Sequence, residues 1–335
     1  MRNSESRNQI LSDFFMRKRW SLFLPIFLLS GCIFTPKLAP TADLGALATQ
    51  IWVQISVEQT LAAAQVTATT QSTSTPEPTP SPLWFSTPLP QPADINNYTP
   101  VFNQVNGMEV VYVGAGEFLM GSSTGDSNRD VNEEPQHKVF LDAFWISKTQ
   151  VTNAMFNLCV AAGACQYSVS HATNPNYHDP LFTNHPVVYV SWEAAQDYCA
   201  WTGGRLPTEA EWEKAARGPN GQRFPWGEEM ARIKFANAGD EIGNTTPVGS
   251  FPYGKSYYGA LDMGSNVREW VLDWYDANYY QYSPSVNPQG PAGGEKKVLK
   301  GASFQDEWRY CRSANRLAHE PQSPGSTRGF RCVYP

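Results

Sequence analysis

The sequence predicts an α+β fold, rich in loops, beginning near Gly107. Three observations carry this. Short apolar runs typical of strands open and close the segment, and three capped helical stretches with one further apolar run lie between them, joined by long irregular connections. The chain of 335 residues contains 25 Gly, 26 Pro and 13% aromatic residues, which suits irregular connections pinned by ring packing. Hydrophobic residues make up 41%, enough for a sizeable core.

In chain order, Met108–Val113 and Glu117–Met120 read as strands separated by a Gly-bounded turn, and Val139–Ile146 as a third. Thr152 is an N-cap for a helix through Cys159. Val187–Val190 reads as a strand, and Ser191 caps a helix through Trp201. Thr208-Glu209-Ala210-Glu211 is a capping box opening a helix over 209–217, which Gly218 closes. Beyond it, Val298–Lys300 and Phe330–Val333 stand out as short strands among loops.

The N-terminus reads as an address. Arg17, Lys18 and Arg19 precede an apolar run, Trp20–Leu29, that is too short to span a bilayer, which needs about 20 residues. It ends in Leu29-Ser30-Gly31-Cys32, which resembles the bacterial lipobox. Residues 1–32 are therefore expected to be a signal peptide. Cys32 is expected to be lipidated and to anchor the chain to the outer face of the cytoplasmic membrane. Met16 offers a second start site.

Residues 33–105 read as a Thr/Pro/Ser-rich tether. Pro76, Pro78, Pro80 and Pro82 alternate with Thr, Ser and Glu, a composition that favours an extended spacer over a packed core. Within it, Leu44, Leu47, Ile51, Ile55 and Leu61 recur at roughly helical spacing over 43–66, which allows a short helix or nothing stable. Residues 106–335 form the folded domain. The net charge of −6, with no cluster of Lys and Arg, argues against a nucleic-acid partner.

An ordered series of blocks runs through that domain. It includes Gly116-Glu117-Phe118-Leu119-Met120-Gly121, His185-Pro186-Val187-Val188, Gly204-Arg205-Leu206-Pro207-Thr208-Glu209-Ala210-Glu211-Trp212-Glu213 and Phe224-Pro225-Trp226-Gly227. It continues through Asn266-Val267-Arg268-Glu269-Trp270 and Gly301-Ala302-Ser303 to Gly329-Phe330-Arg331-Cys332. This series resembles the formylglycine-generating enzyme (sulfatase-modifying factor) family across essentially all of 107–334. The resemblance implies a fold related to C-type lectins. It also implies an oxidoreductase that uses O₂ to convert a substrate protein's Cys to Cα-formylglycine, with Cu(I) held between two cysteines just after the Gly-Gly-Ser motif.

Soft thiolates suit Cu(I), and here the segment Ser303–Cys311 holds a single Cys. Aligned without gaps from Ser303, Cys311 matches the second copper ligand and Asp306 stands in place of the first. Aligned on Arg312-Ser313-Ala314-Asn315-Arg316, neither ligand survives. Cys311 and Ser303 are thus the candidate catalytic residues. As the odd cysteine of six, Cys311 is either a reactive thiol or a small buried hydrophobe.

The resemblance implies a disulfide between Cys199 and Cys332. Cys159 and Cys165 are close enough in sequence for a local bridge, or are two buried thiols. The resemblance further implies two structural Ca²⁺ sites: Asn237, Ala238, Asp240 and Ile242 for the first, and Asp262, Ser265, Val267 and Glu269 for the second. Oxygen ligands of this kind suit Ca²⁺. Arg268 replaces a usual Trp, which predicts repacking of the second loop.

Two readings follow. One is a non-catalytic module that binds a peptide, glycan or protein ligand at the cell surface, the copper pair being incomplete. The other is a formylglycine-generating oxidoreductase, or a related non-haem iron oxygenase using residues such as His171 and His178, which lack a clear ligand spacing.

Overall fold

β1 (Phe102–Val105) pairs antiparallel with β2 (Met108–Val113), Val105 opposite Met108, so the fold starts inside the stretch expected to be tether. The structure is a computed structural model that describes residues 102–105, 108–167, 173–230 and 232–335. The signal peptide, Cys32, the helix considered at 43–66 and His171 lie outside the described residues.

Among the described residues, three sheets and three α-helices make up the domain. The first sheet has the order β1-β2-β5-β10, with β5 at Phe144–Ser147 and β10 at Val333–Tyr334. The second is a hairpin of β3 (Gly116–Met120) and β4 (His137–Leu141). The third has the order β8-β7-β6-β9, built from β6 (Arg268–Trp274), β7 (Lys297–Lys300), β8 (Arg316–His319) and β9 (Arg328–Phe330). The β6–β9 pair is parallel and the other pairs in that sheet are antiparallel.

Three expected strands are corrected. The run Val139–Ile146 is two strands in different sheets, because the chain turns at Asp142, whose N–H donates to Asn287 Oδ1 at 3.0 Å. Phe330–Val333 is likewise split: β9 serves the third sheet and β10 the first, with Arg331 and Cys332 between them. Val187–Val190 forms no strand. Tyr189 adopts φ 59°, and the amides of Val187 and Tyr189 donate to two unrelated segments, at Val151 O and Gly325 O. Apolar runs of this kind signal burial equally well whether or not a ladder forms.

The helices follow their caps. α1 (Asn153–Ala161) begins at Thr152, whose hydroxyl accepts from Met155 N. α2 (Trp192–Trp201) begins at Ser191, which accepts from Ala194 N. α3 (Glu209–Arg217) has the full capping box: Thr208 Oγ1 accepts from Glu211 N at 3.1 Å and Glu211 Oε2 from Thr208 N at 2.8 Å. Gly218 ends it at φ 70°, where a Cβ would lie 2.7 Å from Tyr257.

The core is divided. One cluster joins Trp145, Phe156, Tyr198, Trp270 and Phe330 around both disulfides, Cys159–Cys165 and Cys199–Cys332. A second joins Phe118, Val139, Ile146, Trp212 and Val298. Every residue of α3 is buried, including Glu209, Glu213, Lys214 and Arg217. Such burial requires paired charges. Arg316 grips Glu209 through Nε and Nη2, both at 2.8 Å, Lys300 reaches Glu213, and Lys214 Nζ donates to the carbonyls of Gly114 and Gly116.

Candidate functional site

β7 ends at Lys300, and Gly301 turns the chain away at φ 74°, leaving no room for a Cβ beside Met263 O. The loop that follows carries Ser303 and Cys311. Ser303 donates to Asp306 Oδ2 twice, from N at 2.7 Å and from Oγ at 2.6 Å. The other oxygen, Asp306 Oδ1, lies 2.8 Å from Arg268 Nη2. Arg268 is itself buried, and its Nη1 donates to Gly301 O and Asn315 Oδ1. Arg268 therefore does not repack the second cation loop, as the sequence suggested; it crosses to the 303–311 loop and neutralises Asp306.

Cys311 is fully buried with Phe224, Ala238 and Ala302, and Trp226, Trp308 and Tyr310 pack against that cluster. Burial pushes the thiol well above its usual range, Asp306 adds to the effect, and Arg268 opposes it only in part. A Cu(I) site is built from paired soft thiolates, and this loop offers a single buried thiol. Asp306 is a hard carboxylate already committed to Arg268 and Ser303. Ser303, Asp306 and Cys311 do not fit Cu(I).

Around this ion pair lies an aromatic rim. Trp226 is half-buried between Phe224 and Phe235, at centroid distances of 5.3 and 5.2 Å with the rings nearly parallel. Tyr310 lies under the Arg309 guanidinium at 4.4 Å. Next to Cys311, Arg312 reaches Glu133 and Ser122, and Ser313 N donates to Arg223 O. This joins the loop to a polar cavity of about 280 Å³ lined by Ser122, Ser123, Asp126, Arg217, Arg223 and Glu228.

The two expected cation sets differ. In the first, Asn237 is fully buried and its Oδ1 has no hydrogen-bond partner, while Nδ2 donates to Asn244 O at 2.9 Å. Gly239, Asp240 and Gly243 all have positive φ, so the chain turns tightly just after Asn237. Ala238 is buried; Asp240 and Ile242 are exposed. An orphaned buried carbonyl oxygen within a tight oxygen-rich turn fits Ca²⁺.

In the second set, Ser265 O, Val267 O and Glu269 Oε1 do converge, on Gln150 Nε2 at 3.0, 3.1 and 3.0 Å. Asp262 Oδ2 accepts from Gly249 N at 2.7 Å and its Oδ1 is buried without a hydrogen-bond partner, while its backbone oxygen lies 3.4 Å from the same Gln150 nitrogen. Gln150 gave no signal in the sequence, since a lone Gln before a helix cap has no motif.

The domain model for the sulfatase-modifying factor enzyme 1-like domain matches residues 98–335. The chain belongs to the sulfatase-modifying factor family. It is 34% identical over 299 residues to the formylglycine-generating enzyme of Streptomyces coelicolor, covering 73% of this chain and 95% of that protein. It is 36% identical over 241 residues to the serine/threonine-protein kinase pkn1 of Chlamydia caviae, covering 67% of this chain but only 38% of that protein's length. Among solved structures it resembles PvdO from Pseudomonas aeruginosa, with a TM-score of 0.61 and 30% identity, over 70% of this chain and 98% of that one.

Within the sulfatase-modifying factor domain, both expected disulfides are present. His178, the described member of the iron pair considered above, packs its ring edge-on against Tyr177, and no cluster of three or more His, Cys, Asp or Glu suited to a metal occurs among the described residues.

Proposed function

We propose that this is a non-catalytic binding module, carried on a lipid-anchored tether at the outer face of the cytoplasmic membrane through Cys32, that takes a peptide, glycan or protein ligand. The observation that carries the reading is the Arg268–Asp306 ion pair at 2.8 Å, at the position where the resemblance implies copper chemistry. A carboxylate in a salt bridge and a single buried thiol supply no pair of soft Cu(I) ligands. Function resides in the site rather than the fold, and this site retains recognition chemistry instead: the Trp226, Trp308 and Tyr310 rings, an Arg–Asp pair and a neighbouring hydroxyl-lined cavity. Ca²⁺ bound by Asn237, Asp240 and the carbonyls of Ala238 and Ile242 would stiffen the adjoining loop.

The test is incubation of the purified chain with Cu(I), O₂ and a Cys-x-Pro-x-Arg peptide, following peptide mass. The expected result is no loss of thiol mass and no tight Cu(I) uptake. Aldehyde formation that disappears in Cys311→Ala would replace this reading with a formylglycine-generating oxidoreductase.

A further inference from the structure

Four oxygen atoms surround Gln150 Nε2: Ser265 O at 3.0 Å, Val267 O at 3.1 Å, Glu269 Oε1 at 3.0 Å and Asp262 O at 3.4 Å. A primary amide has two N–H bonds, so it satisfies two of four acceptors outright and shares the rest. An oxygen cage with more acceptors than protons is what a cation would otherwise fill. We infer that in this chain the Gln150 amide occupies the family's second cation cage, so that the 262–269 loop is held by a side-chain donor and takes up no Ca²⁺.

The inference depends on which end of the amide faces the cage, and the surroundings decide it. Asn266 is fully buried and pinned by the backbone of Thr246: its Oδ1 accepts from Thr246 N at 3.0 Å and its Nδ2 donates to Thr246 O at 3.1 Å. Reversing Asn266 would set like against like at both bonds. Its Nδ2 also donates to Gln150 Oε1 at 3.3 Å, which fixes the oxygen of Gln150 on that side and the nitrogen toward the cage. A Ca²⁺ ion needs oxygens at about 2.3–2.6 Å, a position that the two amide hydrogens already hold.

The charge of Glu269 is also already matched. Glu269 and Arg331 are buried together, with Arg331 Nε 2.7 Å from Oε2 and Nη2 2.8 Å from Oε1, and Trp212 Nε1 donates to Oε2 at 2.7 Å. Arg331 Nη2 also donates to Leu261 O. A divalent ion would enter a cage whose Glu269 carboxylate is already neutralised by a bidentate guanidinium, leaving the buried Asp262 carboxylate as the remaining negative group beside it.

The experiment measures Ca²⁺ stoichiometry. The purified full chain in detergent is stripped with chelator and titrated with Ca²⁺ by calorimetry, alongside Asp240→Ala and Gln150→Glu. The wild type is expected to bind at most one equivalent, Asp240→Ala none. Gln150→Glu removes the donor protons, turns a carboxylate toward the cage, and is expected to gain one equivalent and a Ca²⁺-dependent rise in Tm. Zero equivalents in the wild type would sink Ca²⁺ at Asn237 while supporting this inference. Two equivalents in the wild type, or one that persists in Asp240→Ala, would overturn it. So would a folded Gln150→Glu protein that gains none. The wild-type and Asp240→Ala titrations decide the matter if Gln150→Glu does not fold.

Discussion

Lys300 Nζ lies 2.9 Å from Glu213 Oε2, and neither side chain has any exposed area. Burial works against the charge on Glu213, but Lys300 and Arg217, with the N–H of Gly121, outweigh it and hold the carboxyl below its usual range. The pair joins α3 to the third sheet. Lys300→Met should cost about 2–3 kcal/mol, at or below the range for a fully stranded charge, because Glu213 keeps Arg217 Nη1 at 3.1 Å and the Gly121 N–H. The double variant Lys300→Met, Glu213→Gln should recover part of that loss. Denaturant unfolding checks both, and a double variant as unstable as the sum of its singles would refute the coupling.

Asp273 is buried beside the start of α3, its Oδ2 accepting from Glu209 N at 2.8 Å. Burial, reinforced by the Glu209 carboxylate, pushes its pKa up to about 8. The folded value lies above the ordinary 3.8, so the stability this group contributes is fully present at low pH and is lost as pH rises from about 4 through 8. Asp273→Asn keeps an acceptor for Glu209 N and has no proton to lose. Its Tm should fall less steeply than the wild type between pH 5 and pH 8, and Tm measured across that range settles the matter.

Native Cys311 should resist a thiol reagent and react fully in denaturant. Its sulfur is inaccessible, and burial raises its pKa. Alkylation followed by peptide mapping reads this directly, and rapid labelling of Cys311 in the folded protein would contradict the burial.

The two disulfides should differ in worth. Cys199–Cys332 closes a loop with a sequence separation of 133, and Cys159–Cys165 one of 6. On the chain-entropy argument, loss of the long bridge costs about 4–5 kcal/mol and loss of the short one about 2 kcal/mol. Cys332→Ser should therefore lower Tm by more than Cys165→Ser, and the reverse order would show that local strain or residual structure dominates.

Local features were legible in the residues. The capping box at Thr208 and Glu211, the caps at Thr152 and Ser191, and the closing Gly218 are short-range hydrogen-bonding rules, and each helix begins where its cap predicts. What connects distant segments was not. β6 carries Arg268, Glu269 and Asp273, a polar string that reads as a loop until Arg331, Asp306 and the α3 N-terminus arrive to pair with it. α3 looks like a surface helix because its charges find partners 87 to 107 residues away, at Lys300 and Arg316. Arg268 was visible as an unusual residue but not where it would point, since the partner, Asp306, lies 38 positions on (306 minus 268). Gln150 carried no signal, because its role depends wholly on what surrounds it.

The last strand has a consequence for how the domain is made. Val333 exchanges backbone hydrogen bonds with Arg205, β10 pairs with β5, and Cys332 bridges to Cys199. None of these partnerships exists until residues 332–334 dock, so β5 has one edge unpaired while the rest of the first sheet can already form. Until that segment docks, the sheet is open along β5 and offers bare backbone amides to any strand that can pair with them.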